Sequence, residues 1–140
     1  MSSSVSTDLY VQVQQFYARQ TQALDNGRFE EHAATFTEDG SFSLVPGEVP
    51  AVGRAGILQA LHDFAKQFEN DPVQLRHHFN QVLLARRDDG GLSATVYALL
   101  VQTRPGGEPV VGPSLVLHDV IDTSGAELLL RSRVVTYDQS

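Results

Sequence analysis

The chain has 140 residues, 41% hydrophobic and 19% charged, which is enough apolar material for one packed core and excludes a disordered chain. It has no cysteine, which excludes disulfides, thiolate metal sites and a cysteine nucleophile. The net charge is −7, and nine arginines with Lys66 form no basic run longer than Arg86-Arg87, so nucleic acid is not an expected partner.

Residues 1–7 read as a Ser-rich, disordered lead, and residues 8–138 as one domain. Leu9, Val13, Phe16, Tyr17 and Leu24 recur at helical spacing, with Ser6 or Thr7 as the cap and Asn26-Gly27 as the stop. A shorter helix with Phe29, Ala33 and Phe36 on one face is expected to end near Asp39-Gly40, before a short strand over Ser41 to Val45. Pro46, Gly47, Pro50 and Gly53 mark a loop, and a third helix is expected from Arg54 to Glu69. From Leu75 the period changes to 2, giving strands at Leu75–Arg87, Leu92–Arg104, Val110–Asp122 and Glu127–Asp138. The short Gly-rich links between them make antiparallel hairpins. Val96 to Val101 is apolar on both faces, so the sheet is expected to be covered on both sides. Three helices cover one side, and a second copy of the chain, as a homodimer, would cover the other. The fold class is α+β: three N-terminal helices packed on a curved antiparallel sheet.

No stretch approaches the roughly 20 apolar residues of a membrane-spanning helix. The start has neither the basic cluster nor the apolar block of a secretory signal. A cytoplasmic protein without a membrane partner is expected.

Strand alternation places His78 and Asn80 on one face with Val82 and Leu84, and His77, Phe79 and Gln81 on the other. His78 is the candidate for a cavity, and His77 reads as structural or interfacial. Tyr17 lies on the inward stripe of the first helix, where a phenol is either a satisfied core residue or a pocket donor. Asp25, at the helix end, opposes the dipole and reads on its own as a turn residue. His118 falls with Val116 and Ser114, while His32 and His62 flank the apolar stripes of their helices and read as surface. His77-His78 point to opposite faces and no facial triad is written locally, so no metal is expected. There is neither a Gly-x-Ser-x-Gly elbow nor a phosphate loop in its strand-helix context, and no cofactor is implied.

The stretch from Tyr17-Ala18-Arg19 through Asp25-Asn26-Gly27-Arg28-Phe29 is similar to the opening of the SnoaL-like proteins. These belong to the cone-shaped, nuclear-transport-factor-2-like superfamily. Phe36-Thr37-Glu38-Asp39-Gly40-Ser41-Phe42, Gly53-Arg54-Ala55-Gly56-Ile57 and Arg76-His77-His78-Phe79-Asn80 resemble further motifs of that family in order and spacing. The likeness is to the branch with scytalone-dehydratase-like proteins, dioxygenase β-subunit-like proteins and tailoring proteins of bacterial aromatic polyketide pathways. It implies a pocket lined by Tyr17, Asp25, Phe42, His78, Asn80, Tyr97 and His118, holding a hydrophobic aromatic or polyketide-like molecule. His78 would be the acid–base, Asp25 its orienter, and Tyr17 or His118 the carbonyl polariser. The implied activity is a cofactor-independent dehydratase or cyclase. Where those dehydratases carry a second catalytic His, this chain has Gln102 or Thr103, which keeps two alternatives open. One is a non-catalytic binding protein that assists a tailoring oxygenase, and the other is a purely structural partner like the dioxygenase β subunits.

Overall fold

The structure is a computed structural model and describes residues 4–45 and 49–139; Pro46 and Gly47 of the expected loop lie outside them. Helix α1 spans Thr7–Asp25. Its start is fixed by Ser6, whose hydroxyl accepts from the Leu9 N–H at 3.1 Å, with Asp8 in the first turn. Its end is fixed by Asn26 and by Gly27, whose φ of +75° suits glycine. Of the lead, residues 4–7 are described, with Thr7 already in α1, and the Ser4 carbonyl accepts from Arg86 Nε at 3.2 Å.

Helix α2 is short, Phe29–Ala33, and β1 runs Phe36–Val45. The helix therefore ends well before the expected Asp39-Gly40. Spacing over three apolar residues cannot separate a helix from a helix running into a strand. Here the Thr35 carbonyl accepts from the Leu130 N–H at 2.8 Å, which pulls the chain into the sheet one residue before Phe36. The two-residue strand β2, Ala51–Val52, leads into α3, Gly53–Ala65, which finishes in a 3-10 turn at Lys66–Phe68. The long strands follow: β3 Gln74–Arg86, β4 Leu92–Thr103, β5 Val110–Asp122 and β6 Leu129–Tyr137.

The sheet order is β2-β1-β6-β5-β4-β3. The four long strands are antiparallel as expected, but β1 lies parallel to β6, so the sheet is mixed. Helices pack on one face, over a core that includes Val13, Phe16, Phe36, Leu92, Val96, Ile121 and Leu130.

Two irregularities set which side chains reach that face. In β3 the pairing runs Asn80↔Tyr97 and then Leu83↔Thr95, so β3 carries one extra residue, and Gln81 takes a φ of +54°. Val120 of β5 pairs with Ser132 and Ile121 with Leu130, so β6 carries one extra residue, and Leu130 and Arg133 both face the helices although they are three positions apart. A shift of one residue exchanges the faces of everything beyond it.

Candidate functional site

The β3 bulge decides the histidine question. Val82 is buried and Leu84 half-buried, as their apolar character requires, but because of the extra residue they share a face with His77 and Phe79. His78 and Asn80 are exposed and belong to the opposite face, where register aligns them with Leu99 and Tyr97. The alternation that grouped His78 with Val82 is therefore corrected. His77 is the inward histidine.

α1 runs along β3, the edge strand of the sheet, and side-chain-to-backbone bonds run both ways between them. Tyr10 donates to the Val82 carbonyl at 2.8 Å, and Gln74 Nε2 donates to the Asp25 carbonyl at 3.1 Å. Asp25 uses both carboxylate oxygens on one residue: Oδ2 accepts from the His77 backbone N–H at 3.0 Å, and Oδ1 lies 2.6 Å from His77 Nδ1. Since a carboxylate accepts, Nδ1 carries a proton, and in the neutral ring the lone pair is then on Nε2. The pair is half-shielded, with side-chain exposures of 20% for His77 and 6% for Asp25. It stands in a cleft of about 380 Å³, walled on the helix side by Tyr17, Thr21 and Asp25 and on the strand side by Arg76, His77, His78 and Phe79. The Phe79 ring meets Tyr17 edge-on at 5.8 Å and His77 at 6.4 Å, so the wall beside the pair is aromatic.

Beneath this wall lies a buried polar network. Arg133, only 3% exposed, forms a two-pronged pair with Asp119, Nε to Oδ1 at 2.9 Å and Nη2 to Oδ2 at 2.9 Å. Its Nη2 also donates to Gln20 Oε1 at 2.8 Å, and Gln20 Nε2 donates to Thr35 Oγ1 at 2.8 Å. The guanidinium carbon is 5.2 Å from the Phe79 ring centroid. Burial works against this charge, yet the Asp119 carboxylate outweighs it and holds Arg133 protonated above its ordinary range. The Tyr17 hydroxyl donates to Asp119 Oδ2 at 2.6 Å. Burial first, and the Asp119 charge second, push the phenol well above the usual tyrosine range, so Tyr17 keeps its proton and spends it on Asp119.

The expected site is thus divided. Tyr17 and Asp25 are on the helix side of the sheet, and both line the cleft. Phe42 is half-buried on β1 against the core, beside Arg133 in register and four strand positions from β3, so it does not line the cleft. Asn80, Tyr97 and His118 have side chains on the far face, where Tyr97 is 56% exposed and His118 is also exposed, while His78 shares that face by alternation and still contributes to the strand wall of the cleft. Neither of the expected polarisers is available, because Tyr17 is committed to Asp119 and His118 faces away. His62 is exposed as expected, but His32 is buried, its Nδ1–H donating to the Gln20 carbonyl at 3.0 Å. Burial depresses its pKa to about 4.

Thr21, Asp119 and Arg133 escaped sequence reasoning. Asp119 and Arg133 lie on two strands joined by one hairpin, where they are register partners, and alternation alone does not single them out from Asp122 and Arg131 on the same strands. Thr21 lies four residues from both Tyr17 and Asp25, on the same helical stripe. Its Oγ1 is the one buried side-chain oxygen or nitrogen among the described residues that has no hydrogen-bond partner, a condition that ordinarily costs about 1–3 kcal/mol.

The comparisons with known proteins place the fold in a family. Residues 6–134 match the SnoaL-like domain. The fold superposes on ActVI-ORFA from Streptomyces coelicolor with a TM-score of 0.90 and 44% identity, over 96% of this chain and 100% of that one. A Catenulispora acidiphila protein in complex with S-DNPA superposes with a TM-score of 0.84 and 41% identity, over 96% of each chain. The anthranilate 1,2-dioxygenase small subunit of Burkholderia cepacia is 28% identical over 129 residues, 84% of this chain and 79% of that protein.

Proposed function

The chain belongs to the SnoaL-like domain family, and from that premise we propose that it is a cofactor-independent dehydratase or cyclase of an aromatic polyketide intermediate, with His77 as the group that moves the proton. The observation that carries this reading is the Asp25–His77 contact of 2.6 Å, facing a cleft with an aromatic wall. Asp25 is a positioning residue: it fixes the tautomer and, through the backbone N–H, the place of the ring. In a β-hydroxy ketone, His77 Nε2 would take the proton from the α carbon. The electron pair left there forms the carbon–carbon double bond as the β carbon–oxygen bond breaks. The imidazolium then returns the proton to the departing hydroxyl as water, leaving the enone and a neutral His77. The Catenulispora relative holds a small molecule, which supports a small-molecule ligand for this cleft as well.

The test uses wild type, His77→Ala, Asp25→Asn and His78→Ala with hydroxylated naphthoquinones and polyketide ketols. Mass spectrometry reads loss of water and fluorescence reads binding. Water loss is expected to vanish in His77→Ala, to fall about 100-fold or more in Asp25→Asn, and to persist in His78→Ala. Unchanged turnover in His77→Ala would sink the mechanism. A second reading, a non-catalytic accessory protein for an oxygenase, draws on the likeness to the dioxygenase small subunit. It requires tight binding with no mass change in any of the four proteins.

A further inference from the structure

Arg76, His77, His78 and Phe79 all line the cleft, although strand alternation sends their side chains in turn to opposite faces of the sheet. One cleft meets both sets only along the outer edge of β3, which is an edge strand. The backbone groups that point out of that edge therefore point into the cleft. Asp25 identifies them. Its Oδ2 accepts from the His77 N–H, so the backbone of His77 faces away from β4. In an antiparallel ladder alternate residues turn both N–H and C=O outward. Phe79, two positions on and ahead of the bulge, turns outward with His77.

Much of this edge is already occupied. Gln74 Nε2 donates to the Leu75 carbonyl, Asp25 holds the His77 N–H, and Tyr10 donates to the Val82 carbonyl. The Phe79 N–H has no acceptor outside the ladder among the described residues. It stands about 7 Å from the His77 N–H, two strand residues along, and the sheet fixes its direction. Gln14, Gln22 and Arg76 also bring donors to the cleft, but on exposed, flexible side chains that must be ordered before they act. The enolising step calls for a donor already aimed at the oxygen where charge builds. Tyr17 cannot serve, because its proton is committed to Asp119.

We infer that the backbone N–H of Phe79 donates to the keto oxygen of an aromatic ketone lying along the β3 edge, and steadies the charge that oxygen gains. As His77 Nε2 takes the α proton, negative charge moves onto the keto oxygen and meets this amide. The charge returns to the carbon chain as the β carbon–oxygen bond breaks. The inference rests on the proposed reading for the ligand and the proton step, but it concerns a group that reading does not use.

The experiment replaces the Phe79 amide by an ester, with phenyllactate incorporated at that position, which removes the N–H and keeps the ring. Calorimetric titration measures binding of 1-tetralone, a bicyclic aromatic ketone, and of tetralin, the same skeleton without the oxygen. The proteins are wild type, the ester protein and Arg76→Gln. The ester protein is expected to bind tetralone about tenfold more weakly than wild type and tetralin equally well. Arg76→Gln should keep wild-type affinity for both. Loss of water from a polyketide ketol should slow about 100-fold in the ester protein, through kcat more than KM. The unmodified chain gives a second reading that needs no variant to fold. With isotope-labelled phenylalanine, the Phe79 amide resonance should move downfield on adding tetralone and stay in place on adding tetralin. Equal tetralone affinity in wild type and the ester protein overturns the inference. So do equal weakening toward both probes, a ketone-selective loss in Arg76→Gln alone, an unmoved Phe79 resonance, or a wild type that binds neither probe. Its fate is separable from that of the mechanism. An amide that answers only to the ketone, with undiminished turnover in His77→Ala, keeps the donor and removes the base. A silent amide, with water loss abolished in His77→Ala, does the reverse.

Discussion

Arg133 is 3% exposed, and its charge is held by Asp119, Gln20 and the Phe79 face. Removing one member of such a pair leaves the other charged and buried, at a cost of about 3–5 kcal/mol, whereas removing both is far milder. Arg133→Leu alone should therefore lower stability by that amount in urea unfolding, and Asp119→Leu with Arg133→Met should recover most of the loss. Equal loss in the single and double variants would mean that the pair holds the core by shape alone. His32 provides a pH signature. Above about pH 6.5 both folded and unfolded chains carry it neutral. As pH falls, the unfolded chain takes up the proton first, and the folded chain only near 4. Stability should drop across that window by about 3 kcal/mol; below it the His32 contribution levels off, and protonation of the depressed carboxylates of Asp71, Asp89 and Asp122 carries the further loss. Melting temperatures of wild type and His32→Gln from pH 7 to 4 would check this, with the variant showing the shallower slope.

At the scale of the element, the bulge at Gln81 chooses which histidine meets Asp25. Gln81 is exposed and holds a left-handed φ, a conformation that suits glycine and penalises branched side chains. Gln81→Gly should match or slightly exceed wild-type stability, Gln81→Val should lose about 1–2 kcal/mol, and deletion of residue 81 should abolish turnover by presenting the wrong face of β3. A deletion variant with full turnover would show that the register can be re-chosen. Here the legibility of the sequence has a clear limit. Helical spacing revealed α1, with Tyr17 inward and Asp25 at its end, and Gly-rich links revealed the hairpins. A bulge without a glycine leaves no such mark, so strand alternation carried past Gln81 assigned His78 to the wrong side, and every polar partner on β4 and β5 followed it. The parallel pairing of β1 with β6 was hidden for a different reason: it joins the two ends of the chain, and no local spacing encodes it.

For the whole molecule, the sheet face opposite the helices carries Tyr97 and Leu99, 56% and 38% exposed, among His78, Asn80 and His118. We propose that a second copy of the chain covers it. Wild type should then sediment as a dimer and Leu99→Glu with Tyr97→Glu as a monomer, and a wild-type monomer at micromolar concentration would refute the pairing. The residues first expected to do chemistry would then serve assembly instead. On the other face, α1 lies against the edge of β3, where Asp25 grips both the ring and the amide of His77. The competent site and the docked N-terminal helix are thus a single event, and one proton reports on both. The His77 amide should exchange with deuterium slowly in wild type and quickly in Asp25→Ala, making that amide a clock for how often the cleft comes apart.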